Sequence, residues 1–395
     1  MLMSEIVRTM MQGAIKMNRA GSFVSNLSGD LAYRSYCPAN LPPTPGIQVD
    51  THMTSELLNA SRKLAELDSL SRYVPDTALF LSMYVRKEAL ISSQIEGTQC
   101  TLEDILAPDA EMNADLDVSE VLSYVKAVNF AIAELEKLPL CNRLLRNTHA
   151  VLLNNARGED KNPGEFRTSQ NWIGASGCSL RDARYVPPNV QDMVSGMSAL
   201  EKFINEEDGI DPLIKTALVH YQFETIHPFL DGNGRVGRLL ILLCLMEWGL
   251  LHSPVLYVSY FLKKNQWEYY DRLAGVRNSG DFEQWVLFFL EAVHRGAADA
   301  IENIKKLRDL KKHGEEKIAR LSRRNDTVSR LFVHLHSCPM ITLPSAAESL
   351  GVSRGSVSSA VSRLVSLGIL SEVTNKARNR IFAYTDYLDI LREGT

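Results

Sequence analysis

The chain has 395 residues, 45% of them hydrophobic and 23% charged, enough for two or three soluble domains. Its formal net charge of -4 excludes a global basic field, so any contact with nucleic acid needs a local patch. The six cysteines (Cys37, Cys100, Cys141, Cys178, Cys244, Cys338) are scattered with no CxxC pair, which argues against a disulfide framework or a zinc site and fits a reducing cytoplasm. The first twenty residues lack a signal-peptide pattern. The most apolar run, Leu239 to Met246, falls short of the ~20 residues that span a bilayer, so no membrane partner is expected.

Residues 1–40 carry no clear pattern and read as a partly disordered segment. Leu41-Pro-Pro-Thr-Pro-Gly46 is an extended, proline-stiffened entry. Leu57, Leu58, Ala60, Leu64, Leu67 and Leu70 form the apolar stripe of a helix beginning near Thr54. After a break at Val74-Pro75-Asp76, a second helix runs from Leu79 to Ile95 and stops at Gly97. Helices follow from Thr101, over Ser119 to Leu138 and over Asn142 to Asn154. A Gly-, Pro- and Ser-rich excursion then extends from Lys161 to Pro188, with Trp172-Ile173 and Arg184-Tyr185-Val186 as two short strands of a hairpin. Further helices are expected over Val190 to Asn205, Pro212 to Ile226, Arg235 to Trp248, Gln266 to Arg277 and Asp281 to Leu307. The helix from Arg235 is apolar almost all round, so it should be central to a bundle. A charged connector helix, 305–324, leads to a tail from Asn325 whose order of helix, helix, turn, helix and hairpin is that of a winged helix-turn-helix.

The richest stretch is His227-Pro228-Phe229-Leu230-Asp231-Gly232-Asn233-Gly234-Arg235-Val236-Gly237-Arg238. Two glycines make one unbroken helix poor, so a loop between two helices is expected. The second helix would start near Gly234 with its free N–H groups turned toward an anion. His227 titrates in the range of a general base. Asp231 suits Mg²⁺ beside phosphates. Asn233 can donate to a phosphate oxygen, and Arg235 and Arg238 supply permanent positive charge. Gly232 to Gly237 also fits GxGxxG, but a helix rather than a strand precedes it and no carboxylate lies near Leu256-Tyr257, which excludes a dinucleotide site. Each residue alone has a bland reading: a turn for Asp231 to Gly234, a helix C-cap for His227, surface ion pairs for the arginines. Their joint occurrence does not.

The stretch resembles the signature of Fic-domain proteins, HPFxDGNGRxxR, at every fixed position. The resemblance extends over roughly Leu41 to Leu290, through LPPTPG, SSQIEGT, NPGEFRTSQNWIG, YVPP and Lys264-Asn-Gln-Trp-Glu-Tyr-Tyr270. It implies a mainly α fold, a helical-bundle core with a β-hairpin flap. It implies an adenylyltransferase that moves AMP from ATP to a Tyr, Thr or Ser hydroxyl of a protein and releases diphosphate. His227 would take the hydroxyl proton and Asp231 would hold Mg²⁺. Asn233 and the Gly232 to Arg235 backbone would stabilise the α-phosphate, while Arg235 and Arg238 would hold the outer phosphates. Pro228, Phe229, Leu230, Gly234, Gln222, Lys264, Tyr269 and Tyr270 would complete the ATP site. Position 234 is Gly where the phosphate-transferring Doc-like branch typically carries Lys, which disfavours that rival.

Ser92 to Gly97 matches the family's inhibitory pattern, [S/T]xxxE[G/N]. Glu96 would pair with Arg238 and occupy the arginine that the γ-phosphate needs, with Ser92 and Gly97 framing it. Glu96 is also a candidate for orienting water in removal of AMP. A target protein would dock on the flap, 164–188, as an added strand. The implied organisation is an N-terminal segment (1–40), a helical region with the inhibitory helix (41–110), the Fic core (111–304), a linker helix (305–324) and the winged helix (325–395). In the tail, Arg354, Ser356 and Ser358 could face a major groove and Lys376 to Arg380 could form a basic wing. DNA contact, protein docking and a homodimer stay open as partners. The rival class is a DNA-binding regulator whose core only senses nucleotide.

Overall fold

The computed structural model describes residues 18–73, 77–108, 110, 115–154, 159–175, 177–321, 326–374 and 380–393. The break at Val74-Pro75-Asp76, Arg323 and Arg324 of the linker, and Lys376 and Arg378 of the basic wing lie outside the described residues, as do residues 1–17. Among the described residues, no helix is long and apolar enough to cross a membrane.

Residues 18–40 correct the expectation of partial disorder. Strands β1 (Gly21–Asn26) and β2 (Tyr33–Pro38) pair antiparallel, Gly21 opposite Pro38 and Asn26 opposite Tyr33. The hairpin exposes Phe23 beside Ser22 and Ser25, so period-2 alternation is faint. It is fixed by tertiary contacts: Tyr36 is buried, and its N–H donates to Val186 O at 2.9 Å, tying β2 to the excursion before residue 188.

The helices come in the expected order: α1 (Thr51–Tyr73), α2 (Thr77–Ile95), α3 (Leu102–Leu106), α4 (Leu116–Leu135), α5 (Asn142–Leu152), α6 (Val190–Asn205), α7 (Pro212–Ile226) and α8 (Asn233–Glu247). Local chemistry starts several of them. Thr101 and Asp104 form a capping box for α3, Asp115 caps α4, and Asn189 caps α6. Pro212 stands at the start of α7 after its cap Asp211. Both α7 and α8 are buried nearly all round and pack on each other, so the loop joining them is anchored at both ends by core helices. The outer layer closes with α9 (Ser259–Lys264), α10 (Gln266–Ser279) and α11 (Phe282–Ala319). The last runs unbroken through the expected linker boundary at 305 and packs along α1 and α7.

The last 70 residues fold around α12 (Asp326–His334), β3 (Met340–Thr342), α13 (Leu343–Leu350), α14 (Arg354–Ser366), β4 (Ser371–Glu372), β5 (Ile381–Ala383) and α15 (Thr385–Arg392). The sheet order is β3-β5-β4, all antiparallel. This unit docks back on the bundle: α15 packs on α11, Lys87 Nζ of α2 donates to Glu393 O at 2.6 Å, and Arg392 pairs with Glu103 of α3.

Candidate active site

Helix α7 ends at His227, whose N–H still closes on Phe223 O at 2.9 Å while its own backbone turns left-handed, φ 52° and ψ 63°. Few residues other than glycine adopt this region, and such strain is concentrated at functional sites. The ring's Nδ1 is buried without a hydrogen-bond partner. Burial lowers the imidazole to about 4. The Glu224 carbonyl, Glu96 and Asp231 act against that shift, and Arg167 acts with it. The ring is therefore neutral at pH 7 and able to accept a proton.

The loop is built from its own side chains. Asn233 Oδ1 accepts from Phe229 N at 2.8 Å and its Nδ2 donates to Phe229 O at 2.9 Å. The side chain expected on a phosphate is thus the clamp that closes the turn. Gly232 has φ 74°, and a Cβ there would come 3.2 Å from Leu152. Asp231 is exposed; its Oδ1 accepts from Gly232 N at 2.6 Å and lies 3.6 Å from Arg235 Nη2.

Helix α8 then starts with no side-chain cap, so its first amides lack an internal acceptor. Into this end comes Glu96, just past α2. Its Oε1 accepts from Arg238 Nη2 at 2.7 Å, and it sits 2.2 Å from where a Cβ on Gly234 would stand. A carboxylate of the chain itself therefore occupies the anion position. Arg238, with a side chain only 1% exposed, is also gripped by Ser92, through Nε to Oγ at 2.7 Å and Nη2 to the carbonyl at 2.9 Å. Gly97 has φ 101°, which turns the chain out of the site. Arg235 is 2% exposed and ion-paired with Glu120 of α4. The same carboxylate accepts from Thr98 Oγ1 at 3.3 Å. His227 is a helix cap, but the arginine ion pairs are buried rather than on the surface, in a cluster that brings His227, Asp231, Gly234, Arg235, Arg238, Ser92 and Glu96 together.

Other expected ATP residues are placed differently. Tyr269 is 1% exposed and hydrogen-bonded to His220 Nε2 at 2.9 Å, which makes it core rather than cleft. Gln222 is buried and donates to Ala39 O at 2.9 Å, fastening the segment after β2. Lys264 is exposed, while its neighbour Lys263 bonds Gln94 Oε1 at 2.6 Å. Tyr270 is half-buried under the Arg184 guanidinium, and its charge environment includes Glu96 and Arg238. Pro228 and Phe229 are buried in the loop floor and Leu230 is half-buried.

Residues missed in the sequence complete the floor. His149 of α5 stacks on Phe229 with ring centroids 3.7 Å apart. Its Nδ1 accepts from Gly164 N at 2.9 Å, so Nε2 carries the proton and donates to Asp231 O at 3.0 Å. Burial lowers His149 to about 4 and keeps it neutral. Its signal was a histidine on the buried stripe of Leu145 and Leu152. Glu224, with its Oε1 buried and unpartnered, is a second acid near Arg238, pushed by burial up to about 7.

The excursion is a flap over the loop. Ile173 and Tyr185 form one antiparallel bridge, with N–H to O distances of 2.8 and 3.0 Å, rather than two extended strands. Trp172 and Ile173 are exposed on it. A lone exposed carboxylate beside an anion site fits Mg²⁺ brought in with a nucleotide. Among the described residues no cluster of three or more metal-ligating side chains exists.

A helical bundle that presents a neutral histidine, an uncapped helix start and two buried arginines around one loop defines a site for reacting an anionic group. Residues 54–133 match the Fic/DOC family N-terminal region and residues 139–245 match the Fic/DOC family domain. It is 31% identical over 250 residues to "Protein adenylyltransferase Fic" of Aedes aegypti, covering 58% of this chain and 44% of that protein. The match to the protein of the same name in Culex quinquefasciatus is 30% over 208 residues, 50% of this chain and 36% of that one. The chain thus spans less than half the length of these curated relatives. Among solved structures, a Fic family protein from Desulfovibrio desulfuricans G20 superposes with a TM-score of 0.53 at 20% identity, over 83% of this chain and 95% of that one, a likeness of fold.

Proposed function

We propose that this chain is a protein adenylyltransferase, transferring AMP from ATP to a hydroxyl side chain of a target protein or of itself, and that Glu96 inhibits it. The observation that carries the reading is Glu96 Oε1 at the uncapped start of α8, 2.7 Å from Arg238 and against Gly234. A site that attracts its own carboxylate to a helix start and a buried arginine is suited to a phosphate in the same place. The relatives' name supplies the group transferred.

In the proposed reaction His227 takes the proton of the target hydroxyl. The oxygen attacks the α-phosphorus, and the bond to the β-phosphate oxygen breaks with release of diphosphate. The α8 amides near Gly234 face the charge that grows on the α-phosphate, and Arg238, once free of Glu96, meets the γ-phosphate. Arg235 lies between Glu120 and Asp231. Mg²⁺, held through Asp231, would neutralise phosphate charge when bound. A target segment is proposed to pair along the flap, where Ile173 and Trp172 are exposed. The tail's element order supports a winged helix there, with the exposed Arg354 and Ser358 of α14 toward its ligand.

Intact-protein mass spectrometry after incubation with MgATP tests this with wild type, Glu96→Gly and His227→Ala. An adenylate-sized gain is expected in Glu96→Gly and none in His227→Ala. A phosphate-sized gain would replace the reading with the Doc-like one.

A further inference from the structure

We propose that Arg167, on the first arm of the flap, is the positioning residue that holds His227 in its left-handed conformation and so aims the base. The inference rests on the reading of His227 as that base. Arg167 is 1% exposed. Its Nε donates to His227 O at 3.0 Å, Nη1 donates to Ser169 O at 3.2 Å and Nη2 donates to Pro188 O. Its backbone N–H donates to Pro228 O at 2.9 Å. Every acceptor is a backbone carbonyl, and they lie on three segments: the outgoing flap arm, the returning arm, and the entry to the motif loop.

Such a reach needs the planar fork of a guanidinium; an ammonium has no fixed directions to span it. No carboxylate among the described residues pairs with Arg167, and burial pushes it down to about 10. Leaving a cation buried among carbonyls is costly, so a mere tether would be better served by a neutral side chain. The fold has one close by: Asn171 Nδ2 donates to His227 O at 3.3 Å and to Phe229 O at 2.9 Å. Arg167 adds a directional hold on the one residue of the loop, other than glycine, that is strained. Because it also joins both flap arms, the same side chain sets where the target hydroxyl and the imidazole meet. Its side chain makes no bond to Gly234, Arg235 or Arg238, the groups proposed to face the phosphates, so its effect should fall on the base rather than on the phosphate contacts.

The test uses the full chain carrying Glu96→Gly as the active reference, with Arg167→Lys and Asn171→Ala each added to it. AMP transfer is measured at varied ATP. Misplacing a reacting group by about 1 Å costs on the order of 10²-fold in rate. Arg167→Lys is therefore expected to lower kcat by about that factor while KM for ATP stays within about twofold, and Asn171→Ala to lower it less. Equal kcat in all three proteins, or a loss confined to KM, overturns the inference. If Arg167→Lys does not fold, Arg167→Gln, which keeps a neutral donor at the same position, decides on the same split. No transfer by Glu96→Gly itself overturns the adenylyl-transfer reading, and this inference with it.

Discussion

Replacing Glu96 by glycine removes a carboxylate that bonds Arg238 and lies against Gly234 at the start of α8. Its bond to Arg238 is 2.7 Å long, with the arginine side chain 1% exposed and the glutamate 36% exposed. A hydrogen bond between charged groups contributes ~1.5–3 kcal/mol, and partial exposure places this one at the lower end. ATP must overcome that interaction to place its outer phosphates, so relief of ~1.5–2 kcal/mol corresponds to a gain of about 10- to 30-fold in kcat/KM for ATP. Diphosphate release and AMP incorporation, followed across ATP concentrations for wild type, Glu96→Gly and Glu96→Gln, provide the assay. Glu96→Gln keeps an acceptor without the charge and should fall between the other two. A Glu96→Gly protein no faster than wild type at any ATP concentration would refute the brake. A glutamine variant indistinguishable from wild type would show that the side chain blocks by bulk rather than charge.

Gly237→Ala would put a Cβ 2.1 Å from Glu224 Oε1 and 3.2 Å from Phe223. Overpacking of this kind costs ~1–3 kcal/mol, and an unchanged urea midpoint would contradict the close approach of α7 and α8. Asn233→Ala leaves the buried Phe229 N–H without its acceptor, so unfolding free energy should drop by ~1–3 kcal/mol along with loss of transfer; an unaltered midpoint would count against the clamp. Glu88, buried with Oε2 unpartnered, is pushed by burial up to about 8. A raised folded pKa gives stability that is complete below the ordinary carboxyl range and is lost as pH rises through about 8. Glu88→Gln should therefore gain on wild type by ~1.4 kcal/mol per pH unit from about pH 5 to 8, read by urea unfolding, and a constant difference would mean that Glu88 is ionised throughout.

The loop from His227 to Arg238 was legible because its demands are local. A glycine that must take φ 74° at 232, an asparagine that closes back on Phe229 four residues earlier, and arginines three residues apart all act within one turn of chain. Glu96 was legible through its own short pattern. What each group bonds to was not. Arg235 finds Glu120 from 115 residues away, and His149 meets Phe229 and Asp231 across a loop with no shared periodicity. Tyr269 shows the converse error: its motif placed it at the nucleotide, while a buried His220 one layer down takes its hydroxyl. The β1–β2 hairpin escaped notice because its stability comes from Tyr36 and Val186, not from its own alternation.

The ion pairs also explain how two arginines can be buried side by side in one site. Two guanidinium groups with side chains 1–2% exposed would be expensive to bury alone, and each meets a carboxylate, Arg235 that of Glu120 on α4 and Arg238 that of Glu96 just past α2. On the proposed reading, inhibition and stability are one contact: Glu96 neutralises Arg238, and a bound phosphate would take its place. Removing it should lower the unfolding free energy of the nucleotide-free protein. Ser92 still bonds the arginine twice, so the loss falls near ~1–2 kcal/mol rather than the ~3–5 kcal/mol of a fully orphaned buried charge. MgATP should restore the melting temperature of Glu96→Gly more than that of wild type, because only there is Arg238 open to a ligand. An equal shift in both would separate the two roles and leave Glu96 as a structural partner alone.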